Sequence, residues 1–174
     1  MRGSGPTEEP ALGLGRAVVA EPAAPSPEEE IEEAFEHLDV DTPIVGIVMA
    51  ARRDMRVMRE ASGELDERGI RYEVRVTSVH EDPDQLADYA KNAKFRGLRV
   101  IIAAAGLGAA LPGLVAAHTE LPVIGVPLAH PDGVGGGLDA LLGVAQMPPG
   151  VPVACVGINA ARNAAVLAAR ILDA

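Results

Sequence analysis

Leu98-Arg99-Val100-Ile101-Ile102-Ala103-Ala104-Ala105-Gly106-Leu107-Gly108-Ala109 is the stretch that decides the fold. A strand over Leu98–Ala104 is almost wholly apolar and lacks the alternation of a strand with one wet face, so both of its faces must be covered. Glycines then stop the strand, and a small-residue helix follows from about Leu107 to His118.

The same order recurs outward in both directions. Further strands are expected at Ile44–Ala50, at Arg71–Ser78, read as buried, and at Pro122–Val126 and Val151–Gly157. Between the first two, Met55, Met58, Leu65 and Ile70 mark a core-facing helix that Gly69 terminates, and Leu86, Tyr89, Ala90 and Phe95 repeat that pattern before Gly97. A Gly-rich loop precedes a helix around Leu138–Ala145, and a last helix runs from Ala160 to Leu172. Five β/α units with right-handed crossovers predict an α/β, flavodoxin-like three-layer sandwich with a five-stranded parallel sheet of order 2-1-3-4-5. The Ala-rich last helix is apolar over more than one face, which on a lone chain would expose a patch and predicts burial against another subunit.

The charge is unevenly spread. Residues 1–43 hold eleven acids against two bases, whereas 44–174 hold fourteen against thirteen. Residues 1–26 are expected to form a disordered acidic extension, and 27–42 a short acidic helix and linker. In that helix Ser26 can cap, Pro27 suits the first position, and Ile31, Phe35 and Leu38 share a face, with His37 on the surface. Residues 43–174 are expected to form the main folded domain. With no basic field to release counterions, nucleic acid is excluded as a partner. Cys155, in an apolar run expected as a buried strand, can form no intrachain disulfide and makes a poor nucleophile. No apolar run reaches membrane-span length and no signal peptide opens the chain, so a cytoplasmic protein is expected.

Open parallel sheets place ligands at the carboxyl ends of their strands. There the chain presents Ala50-Ala51-Arg52-Arg53-Asp54, Ser78-Val79-His80-Glu81-Asp82-Pro83 and Ala105-Gly106-Leu107-Gly108-Ala109. A free imidazole titrates near neutrality, which makes His80 the catalytic candidate, as general acid and base. Asp54 suits a substrate ligand or a helix N-cap, or both at once. His118 reads as a charge partner for a helix C-terminus, and His130, in Ala129-His130-Pro131-Asp132-Gly133-Val134-Gly135-Gly136-Gly137, is an outside candidate in a glycine-rich lid. No His or Cys pair has zinc spacing.

These segments resemble the family of N5-carboxyaminoimidazole ribonucleotide mutases and aminoimidazole ribonucleotide carboxylases, commonly called PurE. The resemblance covers almost all of Ile44–Leu172 and is most specific in Ser78-Val79-His80 and Leu111-Pro112-Gly113. It extends through Leu121–Pro127, Gln146-Met147-Pro148, Gly150–Ala154 and Asn163-Ala164-Ala165. It implies a cofactor-free, metal-free enzyme in which a carbamate loses carbon dioxide in a closed pocket. The gas recombines at a carbon of an aminoimidazole ring while His80 shuttles the ring proton. It also implies substrate contacts from Ala51, Arg53, Asp54, Ser78, Glu81, Ala105, Gly106 and Leu111, a small-molecule substrate, and a homo-octamer.

The departures point toward altered specificity. Where the family carries Gly-Ser-x-Ser-Asp, this chain has Ala50-Ala51-Arg52-Arg53-Asp54; Glu81 replaces a basic residue thought to hold phosphate; and Ala110 replaces a second histidine. Arg52 and Arg53 could restore the charge from the opposite wall. The expectation is a diverged carboxylase, decarboxylase or mutase. The alternatives are the ordinary N5-carboxyaminoimidazole ribonucleotide mutase of purine biosynthesis, a non-catalytic nucleotide-binding module, and, last, a flavin-binding protein.

Overall fold

A computed structural model describes residues 42–174. The expected acidic extension, and all of the acidic helix and linker except Thr42, lie outside the described residues, as does His37. The five strands are β1 (Val45–Met49), β2 (Tyr72–Val76), β3 (Val100–Ala105), β4 (Val123–Pro127) and β5 (Ala154–Cys155). They pair in parallel in the order β2-β1-β3-β4-β5, the doubly wound arrangement expected. Helices α1 (Met55–Glu67), α2 (Pro83–Asn92), α3 (Ala110–Ala117), α4 (Leu138–Ala145) and α5 (Ala161–Leu172) form the outer layers.

Period-two geometry divides β3 between two cores. Val100, Ile102 and Ala104 face the layer of Met58 and Leu65 from α1 and Ala164, Ala165 and Ala168 from α5. Ile101, Ala103 and Ala105 face Leu86 and Tyr89 of α2, Leu111 and Val115 of α3, and Val144 of α4. With only two Phe and two Tyr in the chain, these layers are aliphatic and alanine-rich. Small side chains let α5 lie close on α1.

Four expectations need correction. Strand β2 is an edge, not a buried strand: Val74 and Val76 are 41% and 38% exposed, because among the described residues only β1 pairs with it and polar Glu73 and Arg75 interrupt its run. Phe95 is 90% exposed. A 3-10 turn at Lys94–Arg96 shifts the helical phase after α2, so Ala93 and Leu98 take the core positions instead. Strand β5 is cut to two half-exposed residues, since Pro152 cannot donate to a ladder, and Cys155 is only partly buried. Burial still pushes the Cys155 thiol up, against thiolate formation. Finally, α5 spends its apolar residues inside the chain: five of its alanines are buried, and none of its residues is among the exposed large hydrophobics. Among the described residues no helix is long and apolar enough to cross a membrane.

Candidate active site

The carboxyl ends of β1, β2 and β3 enclose a cleft of about 460 Å³. It is lined by all nine residues picked out beforehand: Ala51, Arg53 and Asp54 after β1; Ser78, His80 and Glu81 after β2; and Ala105, Gly106 and Leu111 from β3 and α3. Arg52, Val79, Leu107, Ala110 and His130 complete much of the wall.

After β1, residues 52–54 form a 3-10 turn leading into α1. Asp54 does not cap that helix. Its backbone is already helical, and its carboxylate reaches back so that Oδ2 accepts the Ala51 N–H at 3.0 Å. This fixes the carboxylate beside the exposed Arg53. Burial, the largest influence, holds the Asp54 carboxyl above the usual aspartate range, opposed by the Ala51 N–H and the charges of Arg53 and His130.

After β2, a tight turn carries His80. Ser78 Oγ accepts the backbone N–H of both His80 and Glu81, each at 3.3 Å, and the Asp82 N–H donates to the Ser78 carbonyl at 3.1 Å. Asp82 then caps α2 by accepting the Gln85 N–H at 2.9 Å, with Pro83 at the first helical position. The turn is thus pinned on both sides, while the His80 ring has no hydrogen-bond partner among the described residues. An exposed imidazole on a fixed backbone can turn and exchange its proton.

After β3 the backbone is contorted: Leu107, Gly108 and Ala109 all adopt left-handed conformations, with φ of 47°, 77° and 45°. For Leu and Ala this costs on the order of 1 kcal/mol or more each, a strain typical of ligand-binding loops. The neighbouring Gly106 leaves little room for a side chain, since a Cβ there would meet the Leu128 carbonyl oxygen at 3.0 Å and the His130 Cβ at 3.3 Å.

The glycine-rich loop after β4 reaches the cleft through His130 rather than through its glycines. Gly137 has φ of 102° and would press a Cβ to 3.0 Å from both Ala129 Cα and Ile158 Cγ2, so its glycine serves packing. His118 sits at the C-terminus of α3, where its Nδ1 donates to the Leu114 carbonyl at 2.9 Å, away from the cleft residues. No three His, Cys, Asp or Glu side chains group as a metal site among the described residues.

A family model described as AIR carboxylase matches residues 44–174. The N5-carboxyaminoimidazole ribonucleotide mutase of Thermotoga maritima is 53% identical over 130 residues, covering 75% of this chain and 75% of that protein. Its counterpart from Mycobacterium leprae is 54% identical over 132 residues, with 75% of each chain covered. The phosphoribosylaminoimidazole carboxylase of Schizosaccharomyces pombe is 51% identical over 135 residues, covering 76% of this chain and 24% of that larger protein. The crystal structure of Treponema denticola PurE superposes with a TM-score of 0.65 at 30% identity, covering 75% of this chain and 80% of that one.

Proposed function

The chain belongs to the AIR carboxylase, or PurE, family of enzymes, and from that premise we propose that it is an N5-carboxyaminoimidazole ribonucleotide mutase of purine biosynthesis. Relatives bearing that name match at half identity or better across three quarters of their length, which favours the ordinary mutase over the diverged enzyme expected first.

The observation that carries the mechanism is the His80 ring, without a hydrogen-bond partner among the described residues, at a cleft lined also by the small residues Ala105 and Gly106. His80 gives a proton to the exocyclic nitrogen as the carbamate N–C bond breaks and carbon dioxide leaves. The ring carbon then attacks the gas, a C–C bond forms, and the ring proton returns to His80. The proton balance closes without an external acid or base, because an imidazole can both give and accept a proton. Containment matters because carbon dioxide carries no charge and only proximity keeps it near the ring. Asp54, Arg53, Ser78, Glu81, Ala51 and Leu111 hold the nucleotide in this reading.

One feature favours the second reading, a shifted substrate. Glu81 lines the cleft where the family resemblance implies a basic phosphate contact, and a carboxylate repels phosphate. Incubating the protein with N5-carboxyaminoimidazole ribonucleotide and with its dephosphorylated nucleoside, and following ring carboxylation, separates the two. Turnover of the nucleotide is expected. Activity confined to the nucleoside would replace the mutase with the diverged enzyme, and activity on neither would remove both. A cytoplasmic homo-octamer belongs to the same proposal, supported by the apolar exposure of Val74, Val76, Leu138 and Leu142, and sizing of the pure protein tests the assembly.

A further inference from the structure

The cleft holds two imidazoles under different constraints. Among the described residues the His80 ring has no hydrogen-bond partner, whereas the Asp132 N–H donates to His130 Nδ1 at 3.1 Å. The Gly133 N–H donates to the His130 carbonyl at 2.9 Å, closing the turn, and Gly106 leaves room beneath for the His130 Cβ. The His130 side chain is only 12% exposed, yet it lines the cleft with Asp54 and His80. The Asp132 carboxylate, 3.5 Å from the same Nδ1 and 83% exposed, is a solvated and weaker contact than the N–H.

A neutral imidazole carries one proton. Because Nδ1 accepts from Asp132, that proton resides on Nε2, the ring's remaining polar atom. His130 therefore offers a hydrogen-bond donor, complementary to the acceptor Asp54 in the same cleft. Its anchored ring is unsuited to the turning that a shuttle performs.

Resting on the mutase reading above, we propose that His130 is a substrate-contacting donor whose Nε2–H binds an anionic oxygen of the aminoimidazole compound. That oxygen belongs either to the migrating carboxylate or to the phosphate. In this division His80 moves the proton and His130 fixes the ligand.

Two isosteres separate the ring's nitrogens. His130→Asn retains an oxygen that can accept the Asp132 N–H but carries nothing at the ε position; His130→Gln places an amide N–H there. With N5-carboxyaminoimidazole ribonucleotide as substrate, His130→Asn is expected to raise KM about tenfold or more, with kcat within about threefold, the loss of one hydrogen bond to a charged group. His130→Gln is expected to recover most of that affinity. The same order is expected for Kd of the reaction product measured by calorimetry in a His80→Asn background. Equal weakening toward nucleotide and nucleoside identifies the carboxylate; weakening toward the nucleotide alone identifies the phosphate. An active parent whose His130→Asn variant keeps its KM and Kd overturns the inference while leaving the mutase reading intact. So does equal loss in Asn and Gln variants alongside an equal fall in melting temperature, which marks a structural role. A parent that turns over no aminoimidazole compound removes both.

Discussion

The Asp54 carboxylate accepts the backbone N–H of Ala51 at 3.0 Å, three residues back along its own chain. Burial raises its carboxyl pKa, so the folded state holds this proton to higher pH than the unfolded chain does. Stability from this group is therefore present at low pH and declines as pH rises from the unfolded aspartate value through the folded one. Asp54→Asn keeps an oxygen for the Ala51 N–H and removes the buried charge. It is expected to melt at a higher temperature than the parent at neutral pH while losing substrate affinity, and calorimetry beside steady-state kinetics reads both. In the parent, activity that needs the carboxylate should fade on acidification at a higher pH than an ordinary aspartate would impose.

His80→Asn removes the proposed proton carrier but leaves the Ser78 and Asp82 contacts that hold the turn, since these do not involve the residue 80 side chain. Turnover is expected to fall by roughly 10²–10⁴-fold, the usual worth of a positioned acid–base group, with an unchanged melting temperature. Exchange of the substrate's ring proton into deuterated water, followed by proton NMR, should stop with it. Continued exchange would reassign the carrier.

The strained loop after β3 rests on α4 through Gly143, where a Cβ would stand 2.5 Å from the Gly108 carbonyl oxygen. Backbone cannot swing aside as a flexible side chain can. Gly143→Ala should displace Leu107–Ala109, lower kcat/KM about tenfold or more, and cost about 1–3 kcal/mol of stability as overpacking does. Urea titration together with kinetics checks the pair.

Glu64 on α1 is 6% exposed and accepts Arg68 Nε at 2.7 Å and Arg162 Nε at 2.6 Å. The Arg68 hydrogen bond, first, and that of Arg162 hold its carboxyl below the usual range. Its contribution is complete above the unfolded glutamate value and is lost as pH falls through the lower folded value. Glu64→Gln should be less stable at neutral pH and should show a flatter decline on acidification below about pH 4.5. Denaturant midpoints across that range measure it.

Legibility from sequence tracked how local each physical cause is. Val100–Ala104 announces a doubly covered strand because its composition alone forbids water on either face, and Pro83 after Asp82 announces a helix start. The three segments that build the cleft were equally readable, since the carboxyl ends of β1, β2 and β3 converge in any sheet of this order, whereas the individual contact residues were implied by the family resemblance. Phe95 was misread because a single 3-10 turn shifts the helical phase, which apolar spacing does not reveal. Of the two roles open to Asp54, the helix cap fails because its bond to Ala51 depends on the turn at 52–54 rather than on its place before α1. His130 stayed at the margin because its role rests on one N–H from Asp132 and on the space above Gly106, both three-dimensional facts.

The pairing of α1 with α5 has a consequence for how the chain comes into being. The sheet face that Met58 and Leu65 cover is finished only by Ala164, Ala165 and Ala168, which are synthesised after every strand of the sheet. Until Leu172 has cleared the ribosome, a hydrophobic flank stays open and the Glu64–Arg162 clasp cannot close, so nascent chains stalled before α5 should be the ones that chaperones capture.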